Sequence, residues 1–353
     1  MEIEAITLAQ PEPMTVTWDI GRRCNFDCTY CESSRHNTYS APTSWHELCR
    51  TFDFIKDYTT LYNQPNANIN FTGGEPTVNP VFWDFVQYIK DNSNFTVGLT
   101  SNGTWPEKHI TSIKQNIIGV TLSYHAEAKD FNKQRTIDNA KLLKDNNMWL
   151  TVNVMMHTDH WEECVEIVNM LQQYGITVFP TIIGDGNLGT TEWFEDDENV
   201  LRRTSHPYTK EQQAWFFNYH GIDAHTQEQI LSGNQMPRGC CGNRDILGKC
   251  NNCWSKISAV NTNFKGWFCS VNKHFLHIDQ HTQKVYHHQT CKAKFEGRGA
   301  IGNLRNTDGI LNYVLENKDN TIVCPNNRCG CGMCVPKAQL RSVYESITKH
   351  TSI

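Results

Sequence analysis

The chain has 353 residues and a formal charge of -5, from 32 Lys and Arg against 37 Asp and Glu. That length supports one large domain or two ordinary ones with a substantial core, and the charge lacks the basic excess that drives phosphate binding, which argues against a nucleic-acid partner. No apolar run approaches the ~20 residues that span a bilayer, and an N-terminus with Glu2 and Glu4 lacks the basic-then-apolar layout of a signal peptide, so a cytoplasmic protein with no membrane partner is expected.

The first element is a strand over the run Met14-Thr-Val-Thr-Trp-Asp-Ile20. Directly behind it comes Cys24-Asn-Phe-Asp-Cys28-Thr-Tyr-Cys31, three cysteines spaced x3 and x2. A thiolate is a soft ligand that selects iron-sulfur clusters, zinc or copper(I), and three of them in eight residues can hold three corners of one cubane, leaving the fourth open. An open iron can bind and activate a substrate rather than only pass an electron. A zinc knuckle or a group of buried thiols fits the same three residues, and structural context has to decide.

Ser33 to Pro42 reads as a polar turn, and Ser44-Trp-His-Glu47 as a capping box that opens a helix to about Tyr62, with Leu48, Phe52 and Ile55 on one face. A short strand, Ala67 to Phe71, ends in Thr72-Gly73-Gly74-Glu75-Pro76. Two glycines in a row let backbone approach a ligand closely, and Glu75 places a carboxylate where an ammonium group can be held. A helix from about Asn79 to Lys90 follows, then a strand from Phe95 to Thr100 ending in the turn-like Ser101-Asn102-Gly103. A helix near Pro106 to Asn116 leads to a strand from Ile117 to Ser123, followed by Tyr124-His125. His125 is a candidate for acting on substrate, although histidine also fills many structural roles.

Phe131 to Asn146 is helical with Ile137, Ala140 and Leu143 inward, and Met148 to Met155 is the fifth strand. Asp159-His-Trp-Glu162 caps a helix that stops at Tyr174-Gly175, and Ile176 to Ile183 is the sixth strand. Strands alternating with helices of this length predict right-handed βαβ units and a parallel sheet, an α/β partial (β/α)6 barrel with its functional loops at the C-terminal strand ends. The three cysteines, Gly73 to Glu75, Ser101-Asn102 and Ser123 all fall at such ends.

Gly184-Asp-Gly186-Asn-Leu-Gly189 has the form GxGxxG, but it follows the sixth strand rather than the first and opens no helix, so a dinucleotide site is rejected. The acidic stretch from Thr190 to Ser205 reads as an irregular, solvated linker, and Tyr208 to Leu231 as an aromatic-rich helix. Composition then changes at Ser232-Gly233, which divides a core of residues 1-232 from a cysteine-rich part of residues 233-353. Fifteen cysteines are too many for casual core filling, and without a secretion signal metal explains them better than disulfides. Cys49 and Cys164 stand apart, and ten lie in the C-terminal part: Cys240, Cys241, Cys250 and Cys253; Cys269; a predicted hairpin of Phe275 to Ile278 and Lys284 to His287; Cys291; and a final group of Cys324, Cys329, Cys331 and Cys334. Ten thiols can fill one or two four-cysteine sites, and spacing does not say which belong together.

The C-x3-C-x2-C spacing with Tyr30 before its last cysteine, followed one helix and one strand later by Gly73-Gly74-Glu75, resembles the signature of the radical S-adenosylmethionine (SAM) enzymes. The resemblance implies that Cys24, Cys28 and Cys31 are catalytic and carry a 4Fe-4S cluster whose open iron chelates the amino and carboxylate groups of SAM. It places Tyr30 in the cofactor site, sets the backbone at Gly73 and Gly74 and the Glu75 carboxylate against the SAM amino group, makes Ser101-Asn102 the site's edge, and lets Ser123 reach the ribose or carboxylate. It also implies a reaction, in which one electron from the reduced cluster splits SAM into methionine and a 5'-deoxyadenosyl radical that abstracts hydrogen from a substrate. A flavodoxin or ferredoxin type reductant is then the implied partner.

The layout of a cysteine, a hairpin, a second cysteine, the Ile301-Gly-Asn-Leu304 stretch and a tight cysteine group resembles the SPASM and Twitch extensions of that family, which carry one or two auxiliary 4Fe-4S clusters. The final spacing is x4, x1, x2, which departs from a full SPASM domain. The expectation is therefore a Twitch-like single cluster on Cys269, Cys291 and two of Cys324, Cys329, Cys331 and Cys334. Cys240, Cys241, Cys250 and Cys253 then hold a second cluster or a structural zinc. The expected substrate is a peptide or protein that is oxidised, crosslinked or epimerised, with Cys164 or a metal-free C-terminal thiol returning hydrogen in the last case. Dehydrogenation of a small sugar or cyclitol alcohol is the alternative, and a zinc-stabilised interaction protein the non-enzymatic one.

Overall fold

The computed structural model describes residues 5-6, 13-31, 36-183, 193-195, 201-203, 208-221, 264-326 and 335-349. After the two-residue β1 (Ala5–Ile6), the chain enters β2 (Met14–Asp19), where Met14, Val16 and Trp18 are fully buried and Thr15, Thr17 and Asp19 are half-exposed. The same two-residue period runs through β3 (Ala67–Thr72), β4 (Thr96–Ser101), β5 (Gly119–His125), β6 (Trp149–Met156) and β7 (Thr177–Ile182). Strand side chains alternate between faces, so this pattern builds one apolar face and one face of Thr, Asn and Ser.

The apolar face is covered by helices α1 (Trp45–Leu61), α2 (Phe82–Asn92), α3 (Ile110–Asn116), α4 (Asp130–Asp145) and α5 (Trp161–Gln173), with α6 (Lys210–His220) after the last strand. Strands β2 to β7 pair in order and in parallel, which is the predicted α/β partial barrel of six βα units. The core sits between sheet and helices, where Trp18, Phe71 and Phe85 pack with ring centroids 5.3 to 6.2 Å apart.

Local signals held where they were strong. The Ser44-Glu47 capping box opens α1 as predicted, with Glu47 N–H bonded to Ser44 Oγ and Ser44 N–H to the Glu47 carboxylate. Elsewhere the caps differ. A 3-10 turn, Thr158–His160, precedes α5, and the ring of His157 rather than Asp159 caps it, Nδ1 accepting the Asp159 N–H at 3.2 Å. Helix α6 is capped at Gly221, where at φ +61 the glycine turns its N–H back onto the Asn218 and Phe217 carbonyls, and the rest of the predicted helix, to Leu231, lies outside the described residues. Within the acidic stretch expected to be irregular, β8 (Trp193–Glu195) and β9 (Leu201–Arg203) pair as a hairpin. The GxGxxG loop lies outside the described residues.

The C-terminal part contributes β10 (Phe268–Cys269), the short α7 (Val271–His274), β11 (Phe275–Asp279), β12 (Lys284–Tyr286), β13 (Gly302–Asn303), α8 (Thr307–Asn317), β14 (Ile322–Val323), β15 (Lys337–Ala338) and α9 (Arg341–Lys349). The predicted hairpin is β11 and β12, and it joins the main sheet: β11 runs parallel to β2 in the register Phe275 to Thr15 through Asp279 to Asp19, giving the order β13-β12-β11-β2-β3-β4-β5-β6-β7. Buried polar bonds secure the join. Gln280 Oε1 accepts from Trp18 Nε1 (3.1 Å) and Thr51 Oγ (3.0 Å), and Tyr58 on α1 meets His287 Nδ1 at 3.0 Å. A second, four-stranded sheet has the order β1-β15-β10-β14. Among the described residues no helix is long and apolar enough to cross a membrane.

Truncating a ring at the centre of this core leaves a cavity the rigid sheet cannot close. Phe71→Ala, at a position with no exposed surface, is expected to cost about 3-5 kcal/mol, read as a shift in the urea unfolding midpoint.

Candidate active site

Two neighbouring strand ends hold the loop that carries the first three cysteines. Past β2, Ile20 N–H donates to Thr72 O (2.9 Å), and past β3, Gly74 N–H donates to Gly21 O (2.8 Å) and Glu75 N–H to Arg23 O (2.8 Å). The approach requires glycine twice. Gly73 has φ +129 and a Cβ there would stand 2.7 Å from Gly21 O, while a Cβ on Gly74 would overlap the carbonyl oxygens of Arg22 and Arg23. Asn37 closes the other side, its O accepting from Cys24 N–H at 2.8 Å and its N–H donating to Arg22 O at 2.9 Å.

From this anchored start Cys24, Cys28 and Cys31 follow within one loop. Phe26 N–H donates to Cys24 Sγ at 3.3 Å and Cys31 N–H to Cys28 O at 3.1 Å. Burial pushes the Cys24 and Cys28 thiols up to about 12, so near neutral pH they stay protonated until a cation takes the proton's place. Three thiols on one short loop are soft donors, and a cubane offers a separate iron to each thiolate, so the donor set of this loop fits a 4Fe-4S group.

Beside the loop Glu75 is 3% exposed and fully engaged. Its Oε1 accepts from Ser101 Oγ (2.7 Å), Thr77 Oγ (2.6 Å) and Thr77 N–H (3.0 Å), and its Oε2 from Asn102 N–H (2.7 Å). Burial raises its pKa, and these donors oppose the rise without cancelling it. Asn102 Nδ2 in turn donates to Asn25 Oδ1 at 2.7 Å, inside the cysteine motif, and Asn25 Nδ2 to Thr104 Oγ at 2.8 Å. The structure thus brings together the cysteine loop, Gly73, Gly74, Glu75, Ser101 and Asn102. Ser123 lies on the same polar sheet face, in register with Asn153, outside this hydrogen-bond set.

Tyr30 and His125 form a second contact. The Tyr30 hydroxyl is 2.5 Å from His125 Nδ1, which is also 3.5 Å from Cys28 Sγ, and the two rings stack at 12°. Desolvation holds the His125 pKa down to about 4, so the imidazole is neutral and its Nδ1 can accept a hydrogen bond from the tyrosine hydroxyl. Three participants were not legible in the sequence: Asn25, Glu127 and His157. Glu127 Oε2 accepts the Thr29 N–H at 2.9 Å and Oε1 the Thr29 hydroxyl at 2.6 Å, while His157 Nε2 stands 3.2 Å from Oε1. A carboxylate two residues past the β5 end was the available signal, but its partner is Thr29, far away in sequence.

Cys269, Cys291 and Cys324 are buried. Cys269 and Cys291 share one apolar cluster with Val271, Ala293, Ile322 and Val335, and Asn326 Nδ2 donates to Cys291 O at 3.1 Å. Two of the buried thiols, Cys269 and Cys291, thus share one apolar wall, while Cys324 lies on the segment that pairs with β10, its N–H donating to Trp267 O at 2.8 Å. Cys240, Cys241, Cys250, Cys253, Cys329, Cys331 and Cys334 lie outside the described residues. Cys164 is sealed in the core on the helix side of the sheet, its Sγ donating to Met155 O at 3.4 Å, so it does not face the polar side where hydrogen return would take place.

Residues 18-188 match the Radical SAM superfamily model, and the chain therefore carries a radical SAM domain, of a family whose members use a 4Fe-4S cluster and SAM. The chain is 22% identical over 204 residues to mycofactocin maturase MftC of Mycobacterium tuberculosis, covering 54% of this chain and 50% of that protein. It is 23% identical over 168 residues to the PqqA peptide cyclase of Bradyrhizobium diazoefficiens, covering 45% and 43%. The chain thus spans half or less of the length of these relatives. In fold it is similar to anSMEcpe, solved with bound AdoMet and the Cp18Cys peptide, with a TM-score of 0.53, 15% identity and 96% of each chain covered.

Glu75 accepts four hydrogen bonds from donors that cannot all turn away. Glu75→Gln sets an amide N–H against a backbone N–H and is expected to destabilise the fold by about 1-3 kcal/mol, measured by chemical denaturation, with Glu107→Gln on the surface as the control.

Proposed function

We propose that the protein is a radical SAM enzyme whose loop cysteines Cys24, Cys28 and Cys31 hold a 4Fe-4S cluster and whose substrate is a peptide or protein. The observation that carries this reading is the convergence of the thiol loop with Gly73, Gly74 and a buried Glu75 at adjacent C-terminal strand ends. When bound, the cluster supplies the electron that opens the SAM sulfonium to a 5'-deoxyadenosyl radical. The chain's own residues do the rest. The glycine pair offers backbone for close approach, Glu75 with Ser101 and Asn102 fixes the wall beside the loop, and Glu127 with His157 holds the loop between Cys28 and Cys31. Tyr30 and the neutral His125 pack against the Cys28 side of that loop. Ser123 faces the same polar side and is the residue we assign to the SAM ribose or carboxylate.

A peptide substrate is supported by the PqqA peptide cyclase and by mycofactocin maturase among the relatives. An auxiliary cluster on Cys269, Cys291 and Cys324 is supported by the burial of all three thiols, Cys269 and Cys291 within one apolar cluster, and we assign the described cysteines of the C-terminal part to it. The polar inner face suits a substrate that is held by hydrogen bonds. A flavodoxin or ferredoxin type protein is the reductant we assign, in the cytoplasm, with residues 1-232 as the core and 233-353 as the extension.

Reconstituted anaerobically with iron and sulfide and given SAM and dithionite, the protein is expected to release 5'-deoxyadenosine. The Cys24, Cys28, Cys31 triple alanine variant is expected to release none. Iron bound without SAM cleavage in the parent protein, or equal cleavage in the variant, defeats the proposal.

A further inference from the structure

Three side chains close a ring of hydrogen bonds between the thiol loop and the end of β4. Asn102 Nδ2 donates to Asn25 Oδ1 (2.7 Å), Asn25 Nδ2 to Thr104 Oγ (2.8 Å), and the Thr104 hydroxyl back to Asn102 Oδ1 (2.7 Å). The backbone fixes the direction of this ring. Thr104 N–H can only donate, and it donates to Asn102 Oδ1 at 3.2 Å, so the Asn102 amide turns its NH2 toward Asn25. Asn25 then answers with its oxygen and offers its own NH2 to Thr104, which makes each of the three groups a donor once and an acceptor once around the ring.

The turn that carries Asn102 and Thr104 is held from behind. Thr136 Oγ on α4 donates to Asn102 O (2.6 Å), and Asn139 Nδ2 to Gly103 O (2.7 Å) and Trp105 O (2.9 Å), all of them buried. The same turn is bound to Glu75 through Asn102 N–H and Ser101 Oγ, each at 2.7 Å. Asn102 therefore meets Glu75 with its backbone and Asn25 with its side chain. Asn25 lies between Cys24 and Cys28 at an exposed position, where directed hydrogen bonds rather than packing set an asparagine apart from a leucine. A SAM molecule held by a cluster on the loop also meets the wall around Glu75. Whether both contacts form at once depends on the distance and angle between loop and wall, which the ring sets through groups that are already satisfied.

We propose that Asn25 is a positioning residue, which through Asn102 and Thr104 sets the thiol loop against the Glu75 wall so that SAM engages both at once. This role rests on the radical SAM reading above, and the experiment separates the two. Full-length protein is reconstituted anaerobically with iron and sulfide, and SAM binding is measured by equilibrium dialysis on the oxidised protein, which has no electron to cleave it. Iron content and melting temperature are recorded alongside, as is the EPR spectrum of the dithionite-reduced protein frozen with and without SAM. Asn25→Leu is expected to keep its iron and melting temperature and to show a smaller SAM-dependent change in the EPR spectrum. Its affinity for SAM is expected to fall about tenfold, the size of one or two hydrogen bonds. Thr104→Val breaks the ring outside the cysteine motif and is expected to weaken SAM binding in the same direction, while Thr104→Ser stays close to the parent. The Asn25→Leu, Thr104→Val double variant is expected to bind no worse than Asn25→Leu alone.

Unchanged SAM affinity in either single variant with the iron in place overturns the proposal. So do losses that add in the double variant, because residues acting through one ring cannot lose it twice. Thr104→Ser as weak as Thr104→Val assigns the effect to packing of the methyl group and overturns it as well. If Asn25→Leu loses the iron, Thr104→Val decides: weaker SAM binding with the iron retained supports the role, and lost iron overturns it. No iron in the parent protein, or SAM binding that is equal in the Cys24, Cys28, Cys31 triple alanine variant, defeats the radical SAM reading, and the Asn25 role falls with it.

Discussion

The backbone of Gly73-Gly74-Glu75 lies against the backbone of Gly21 to Arg23, and the geometry of the site follows from that contact. Two hydrogen bonds of 2.8 Å join the segments, and no side chain larger than hydrogen fits between them at either glycine. The first cysteine comes one residue after Arg23, so the loop leaves this contact with little freedom left in its direction. On the other strand end the same contact sets Glu75, whose carboxylate then organises Ser101, Asn102 and Thr77 around itself. One close approach thus fixes the thiol loop and the polar wall beside it together. A site held this way needs no reorganisation when a ligand arrives.

How far the sequence reveals this depends on the range of each interaction. The strands are written locally: Val16, Ile69, Leu99, Val120, Val152 and Val178 are buried at alternate positions, and a period of two can be read without knowing the neighbour. The capping box at Ser44 is equally local. Gly221 caps α6 just after the aromatic run of Trp215 to Tyr219, where composition alone does not mark a stop; its left-handed φ and the two carbonyls behind it do. Glu127 and Thr29 are further apart still, and no pattern in either segment points to the other. The same holds for β11. Its residues read as a strand, but its pairing with β2 depends on Gln280 finding Trp18 and Thr51, which are remote in sequence.

The two faces of the sheet divide the chemistry. The helix side is filled with aromatic and aliphatic residues, and it seals Cys164 away with its thiol raised to about 11 by burial. The other side carries Thr, Asn and Ser, half-exposed, with His125 and Glu127 near its upper edge. A reactive group generated on that side meets hydroxyls and amides held by the strands rather than loose apolar side chains. The distribution of cysteines therefore matters more than their number: burial on the helix side makes the Cys164 thiol part of the core, whereas Cys24, Cys28 and Cys31 sit on a loop beyond a strand end.

The join between β11 and β2 also settles how the two described cysteine groups relate. Both strands run in the same direction, and β12 returns antiparallel. The loop with Cys24, Cys28 and Cys31 leaves the C-terminal end of β2, whereas Cys269 precedes β11 and Cys291 follows β12, which places both at the opposite end of the paired strands. Five residues of paired strand correspond to about 17 Å, too far for either thiol to reach across and close the fourth corner of a cluster on the first loop. Cys49 lies on α1, packed against the core on the helix side, and Cys164 is on α5 behind the sheet. Among the described residues, then, no cysteine stands where it could complete that set. The three-thiol loop and the buried Cys269 and Cys291 thus stand at opposite ends of the paired strands, because β11 runs parallel to β2 and β12 returns to the end where β11 began.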